Sequence, residues 1–71
     1  MTQADFDKYK GLMRLGSFME VTGLNKEDVG AMVENKEIRV YHAPARKGGK
    51  YKGTRAFYYK ADAARIAGFK L

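Results

Sequence analysis

A chain of 71 residues with no cysteine and a single histidine, His42, has little but apolar packing to hold it together. Disulfides and thiolate metal sites are excluded, and one imidazole cannot build a histidine-rich metal site. Domains this small commonly lean on such staples, because their cores leave only about a few kcal/mol of net stability. The material for a core is present. Hydrophobic residues make up 45% of the chain and aromatic residues 13%, which argues against disorder and for one domain over residues 1–71. The opening Met1-Thr2-Gln3-Ala4-Asp5 carries an early acid and no apolar leader, and no apolar run approaches membrane-spanning length. The expectation is a cytoplasmic protein with no membrane partner.

Charge is divided unevenly along the chain. Residues 1–37 hold five bases and seven acids, a balance of −2, whereas residues 38–71 hold nine bases and the lone acid Asp62, a balance of +8. Such asymmetry fits a polyanionic partner approached by one face, and equally a solubilising basic surface.

Four segments follow from the pattern of apolar residues and breakers. Residues 3–13 read as an N-terminal helix: Thr2 caps it, Asp5 reaches back to the cap, and Phe6, Tyr9 and Met13 form one apolar stripe, with Gly11 as a weak point. Residues 15–36 read as two short helices. Phe18, Val21, Thr22 and Leu24 give the first its apolar side, and Gly23 suits the left-handed position that ends it. Asn25 is a strong cap for the second, Asp28 follows three residues on, and Val29, Met32 and Val33 repeat at helical spacing. A connection as short as Gly23-Leu24-Asn25 forces a sharp turn, the geometry of a helix-turn-helix.

Residues 38–59 read as a β-hairpin. Ile38, Val40 and His42 alternate with Arg39 and Tyr41, and Ala56-Phe57-Tyr58-Tyr59 is aromatic and strand-prone. A two-residue turn at Gly48-Gly49 pairs Ile38 with Tyr59 and Val40 with Phe57, while Lys52-Gly53-Thr54 offers a rival turn. Pro44 must sit where the ladder needs no donor. In this reading Phe57, Tyr59, Phe18 and Phe69 belong to the core rather than to a base-stacking surface. Residues 60–69 close the chain as a short helix, with Asp62 in its first turn and Gly68 at its end.

The hairpin holds the strongest functional signal. Arg46, Lys47, Lys50, Lys52 and Arg55 cluster with Gly48, Gly49 and Gly53, Tyr51 lies among them, and no acid interrupts residues 38–61. Glycine permits close approach of the backbone, and the bases neutralise phosphates, with Thr54 as a neutral phosphate donor. Arg39, Tyr41 and Tyr58 fit either a ligand contact or a plain surface role. His42 has no acid or nucleophile beside it in sequence, and Ser17 is the sole serine. No triad, carboxylate dyad or metal set emerges, so neither an enzyme nor a cofactor is expected.

The stretch Phe18-Met19-Glu20-Val21-Thr22-Gly23-Leu24-Asn25-Lys26-Glu27-Asp28-Val29 resembles the first helices of the excisionase and MerR-like DNA-binding domains. Glu34-Asn35-Lys36-Glu37-Ile38 resembles that family's step from recognition helix to wing strand. Tyr58-Tyr59-Lys60-Ala61-Asp62 resembles its exit, an aromatic strand end followed by a helix. The resemblance spans residues 15–67 and implies an α+β winged helix-turn-helix. Its elements are an N-terminal helix, two helix-turn-helix helices, a basic hairpin wing and a short C-terminal helix. It further implies binding of double-stranded DNA, with the second helix in the major groove and the wing on the backbone. The implied contacts are Asn25, Lys26, Arg39, Arg46, Lys47, Lys50, Tyr51, Lys52, Thr54 and Arg55, in a transcription regulator or recombination directionality factor.

Two departures from the pattern stand out. The second helix carries Glu27, Asp28 and Glu34, against Asn25, Lys26, Asn35 and Lys36 as donors. The first two acids suit a helix start, but Glu34 does not. MerR regulators also continue into a dimerisation helix and an effector domain, so the likeness is to a stand-alone excisionase-like protein without a small-molecule effector. Its partners would be DNA and either a recombinase or another copy of itself. A protein-interaction module built on the acidic helix, or an RNA-binding protein using the aromatic residues beside the hairpin, are the rival readings.

Overall fold

Local hydrogen bonding sets the helix limits in the computed structural model, which describes residues 1–44 and 54–71. Helix α1 (Gln3–Asp7) starts at Thr2, whose Oγ1 accepts from Asp5 N at 3.2 Å and donates to Asp5 Oδ2 at 2.9 Å. Strand β1 (Leu12–Met13) follows, then helix α2 (Leu15–Thr22). Helix α2 stops at Gly23, where φ is +74° and the N–H donates to Met19 O at 2.8 Å. Glycine takes that left-handed conformation without the Cβ clash other residues suffer. Helix α3 (Lys26–Glu34) starts at Asn25, whose Oδ1 accepts from Asp28 N at 2.7 Å. Three residues therefore carry the chain from one helix to the next.

Helix α3 ends two residues short of the expected Lys36. Lys36 N donates to Val33 O at 3.1 Å and Glu37 N donates to Met32 O at 2.9 Å, the paired bonds of a Schellman motif. The motif needs a left-handed residue, and Lys36 supplies it at φ +60°. For a residue with a Cβ this costs about 1–2 kcal/mol, of which glycine's extra chain entropy would forfeit about 0.5–1 kcal/mol. Lys36→Gly is therefore expected to stabilise the domain by about 0.5–1 kcal/mol, read as a rise in the urea midpoint. A fall would contradict the left-handed assignment.

Strands β2 (Val40–Pro44) and β3 (Thr54–Tyr59) pair antiparallel, and helix α4 (Lys60–Ala67) leaves β3 directly and ends at Gly68, φ +79°. Among the described residues the fold is thus a small α+β arrangement of four helices and one antiparallel sheet, ordered β1-β3-β2. None of these helices is long and apolar enough to cross a membrane.

The first helix is much shorter than the expected span of residues 3–13, and the apolar spacing there has a different cause. After Asp7 the backbone finds partners on the far end of the chain. Lys60 N donates to Gly11 O at 3.0 Å and Lys60 Nζ to Tyr9 O at 2.8 Å, while Leu12 and Met13 pair with Tyr59 and Tyr58. Phe6 and Met13 are both buried, but from a helix and a strand rather than from one stripe.

The core gathers Phe6, Met13, Phe18, Val21, Val29, Ile38, Tyr58, Ala63 and Ala64. Phe18 packs its ring 5.0 Å from that of Tyr58, and Phe6 stacks on Phe69 at 4.8 Å. Beside that stack the Gln3 carboxamide closes the chain ends together, donating to Lys70 O at 2.7 Å and accepting from Lys70 N at 3.1 Å.

The strand register differs from expectation by one residue. Val40 pairs with Tyr58 and Tyr41 with Phe57, instead of Val40 with Phe57 and Ile38 with Tyr59; Ile38 precedes β2 and is buried. Side chains alternate along a strand, so a slip of one moves a whole strand's set to the opposite face. Tyr58, left open between ligand contact and surface, is buried at 8% exposure, and Phe57 and Tyr59, expected in the core, lie on the other side of the sheet. Pro44 ends β2 opposite Thr54, at the limit of the described ladder.

Candidate nucleic-acid interface

Two surfaces carry the residues singled out by sequence. The first is the start of α3. Asn25 and Lys26 are both exposed there. Asn25 spends its Oδ1 on the cap to Asp28 N, which leaves its Nδ2 as the donor available to a ligand. Val29 is buried and Met32 and Val33 pack against the core, so the exposed residues of α3 are Lys26, Glu27, Asp28, Gly30, Ala31 and Glu34. In the middle of the helix the exposed pair is Gly30 and Ala31. A Cβ built on Gly30 meets nothing within 4 Å, so no packing contact requires a glycine there.

The second surface is the face of the sheet turned away from the core. Alternation puts Arg39, Tyr41 and Ala43 on that face from the β2 side and Arg55, Phe57 and Tyr59 from β3, with Leu12 of β1 opposite Tyr59. None of the aromatic residues on it belongs to the core or packs against it. Tyr41 is 45% exposed and Leu12 38%. Arg39 and Arg55, expected as ligand contacts, therefore share one face.

Arg39 is more constrained than a free surface donor. Its guanidinium lies 4.5 Å over the Tyr59 ring and its Nε is 3.7 Å from Asp62 Oδ2, while its backbone N–H donates to the same oxygen at 2.9 Å. Asp62 also stands 3.9 Å from Arg65 Nη2, which donates to Glu37 O at 2.6 Å. The aspartate thus fastens the approach to β2 onto α4, a larger role than complementing a helix dipole. Two thirds of the Arg39 side chain remains exposed.

Sequence reasoning missed Arg14. It immediately precedes α2 and sits 5.4 Å over the Phe57 ring, giving the sheet face a second stacked guanidinium. Nothing local marks it, because the two residues are 43 positions apart and meet only through the β1–β3 pairing. Arg46, Lys47, Lys50, Tyr51, Lys52 and the Thr54 hydroxyl lie outside the described residues. His42 is exposed opposite Ala56. Among the described residues, no three histidine or carboxylate side chains gather where a metal ion could be held.

The chain matches no known family model, and neither the curated proteins nor the solved structures include one detectably similar to it.

Proposed function

We propose that this chain is a winged helix-turn-helix protein that binds double-stranded DNA, as a transcription regulator or an excisionase-like recombination directionality factor. The observation that carries the reading is one of order and spacing. Helices α2 and α3 are separated only by Gly23, Leu24 and Asn25, and α3 leads into an antiparallel strand pair within a 24-residue stretch, 38–61, that contains no acid. A capped helix with a flat Gly30–Ala31 surface can lie close to a groove, with Asn25 and Lys26 as donors at its start. The basic segment between β2 and β3 supplies phosphate contacts, which dominate affinity. One such module covers roughly 600–1,000 Å², so useful specificity calls for several copies along a site or a partner such as a recombinase.

Anisotropy of a labelled duplex titrated across a salt series tests the reading. With about four to five phosphates neutralised, log affinity should fall against log salt with a slope of roughly −4. The double reversal Lys50→Glu with Lys52→Glu should weaken binding at least about tenfold and flatten the slope by about two, with the circular dichroism unchanged. Absence of binding at low salt, or indifference to the reversal, overturns it. The first of those outcomes favours a protein partner for α3, whose exposed residues include Glu27, Asp28 and Glu34 against Lys26.

A further inference from the structure

We propose that the outer face of the three-stranded sheet is a stacking platform for single-stranded DNA, a site separate from the surface of α3. The argument begins with what the face is made of. Small domains usually turn one side of an antiparallel sheet to the core and fill the other with polar residues. Here the outer side carries Leu12, Tyr41, Phe57 and Tyr59, with Arg14, Arg39 and Arg55 around them. Phe57 and Tyr59 are half-buried beneath the guanidinium groups of Arg14 and Arg39, whereas Tyr41 and Leu12 remain open to a ligand.

Charge selects the occupant. Among the described residues, the three bases on or above this face are all arginine, and none of the residues that alternation places there is acidic. Guanidinium groups beside aromatic rings suit a ligand with π-faces and negative charge in alternation, and a single nucleic-acid strand has both. A duplex does not, because its bases are already stacked and its edges alone are accessible. Tyr41 and Phe57 are direct cross-strand partners, and Tyr59 lies two residues further along β3, about 6.7 Å away. Each position can therefore meet a different base of an extended strand. The Arg39 guanidinium lies over Tyr59 and the Arg14 guanidinium over Phe57, so a base there stacks on the guanidinium plane, while the Tyr41 ring has no such cover among the described residues. The occupant is taken as DNA, whose bases and phosphates meet these groups without a partner for a 2′-hydroxyl, and the ribose strand in the test decides that choice.

The proposal does not depend on the duplex reading, and its test separates the two. The intact chain is titrated into labelled (dT)12, into an abasic 12-mer of the same backbone, into (rU)12 and into a duplex. The expected result is that (dT)12 binds at least about tenfold tighter than the abasic strand, since each stacked base contributes a factor on the order of ten to a hundred. Tyr41→Ala should weaken (dT)12 about tenfold, the contribution of one stacked base, while leaving the abasic strand unchanged, and Tyr41→Phe should retain the full affinity. Tyr41→Leu, which keeps an apolar side chain on the strand, should fail like the alanine variant and guards against an effect of misfolding. Duplex affinity should be the same in all of them. Equal affinity for (dT)12 and the abasic strand, an unaltered Tyr41→Leu, or (rU)12 binding as tightly as (dT)12 or more tightly would each overturn the proposal.

Discussion

Replacing Phe18 by alanine is expected to remove about 3–5 kcal/mol of stability, the usual cost of deleting a fully buried ring. Phe18 is 0% exposed and its ring lies against Tyr58, the one aromatic residue of β3 that faces the core. It is therefore the contact through which α2 meets the central strand. A domain of this length has a net stability of about 4–11 kcal/mol, so the loss is a large share of the whole. In a urea melt followed by circular dichroism, with a slope of about 1 kcal/mol/M, the midpoint should fall by about 3 M or more. Phe57→Ala makes the comparison informative. Phe57 sits on the outer face under Arg14, and its loss should cost about 1 kcal/mol or less. If the two variants were equally damaged, the pairing of Tyr41 with Phe57 would be wrong, and the stacking platform would go with it.

Asp62→Ala is the second large effect, expected at about 1–3 kcal/mol, the cost of removing a buried acceptor from a part-buried donor. The carboxylate is nearly enclosed and receives the Arg39 N–H at 2.9 Å. Its two ion pairs contribute less. They are 3.7 and 3.9 Å long and involve guanidinium side chains more than half exposed, where such pairs are worth little. Asp62→Asn keeps an oxygen for the N–H and should recover most of the loss. For a domain of this size each kcal/mol moves the thermal midpoint by about 4–8 °C, so the alanine and asparagine variants should separate clearly in a melt. An asparagine variant as unstable as the alanine variant would mean that charge, rather than the hydrogen bond, fastens β2 to α4.

Both effects have consequences for binding. Asp62 holds Arg39, and Arg39 holds its place over Tyr59, so the anchor of the strand pair and the chemistry of its outer face share one residue. Loosening that anchor should blur the sheet face before it disturbs the α2–α3 pair, whose connection is set within its own few residues.

What could be read from the sequence was whatever a few neighbouring residues decide among themselves. The Thr2 and Asn25 caps, and the left-handed glycines at positions 23 and 68, are settled by hydrogen bonds and backbone sterics within three or four residues. The uneven charge is likewise a property of the chain alone. The tertiary structure decided three things that local chemistry left open. Helix α1 stops at Asp7 because Lys60, about fifty residues away, takes the carbonyls of Tyr9 and Gly11. The lone acid of the second half, Asp62, became a tether because folding brought it to the Arg39 N–H. The run Phe57-Tyr58-Tyr59 has no alternation of its own, so any of its rings suits the core. Pairing with Met13 and Val40 chose Tyr58, and that single choice of register turned Phe57 and Tyr59 outward.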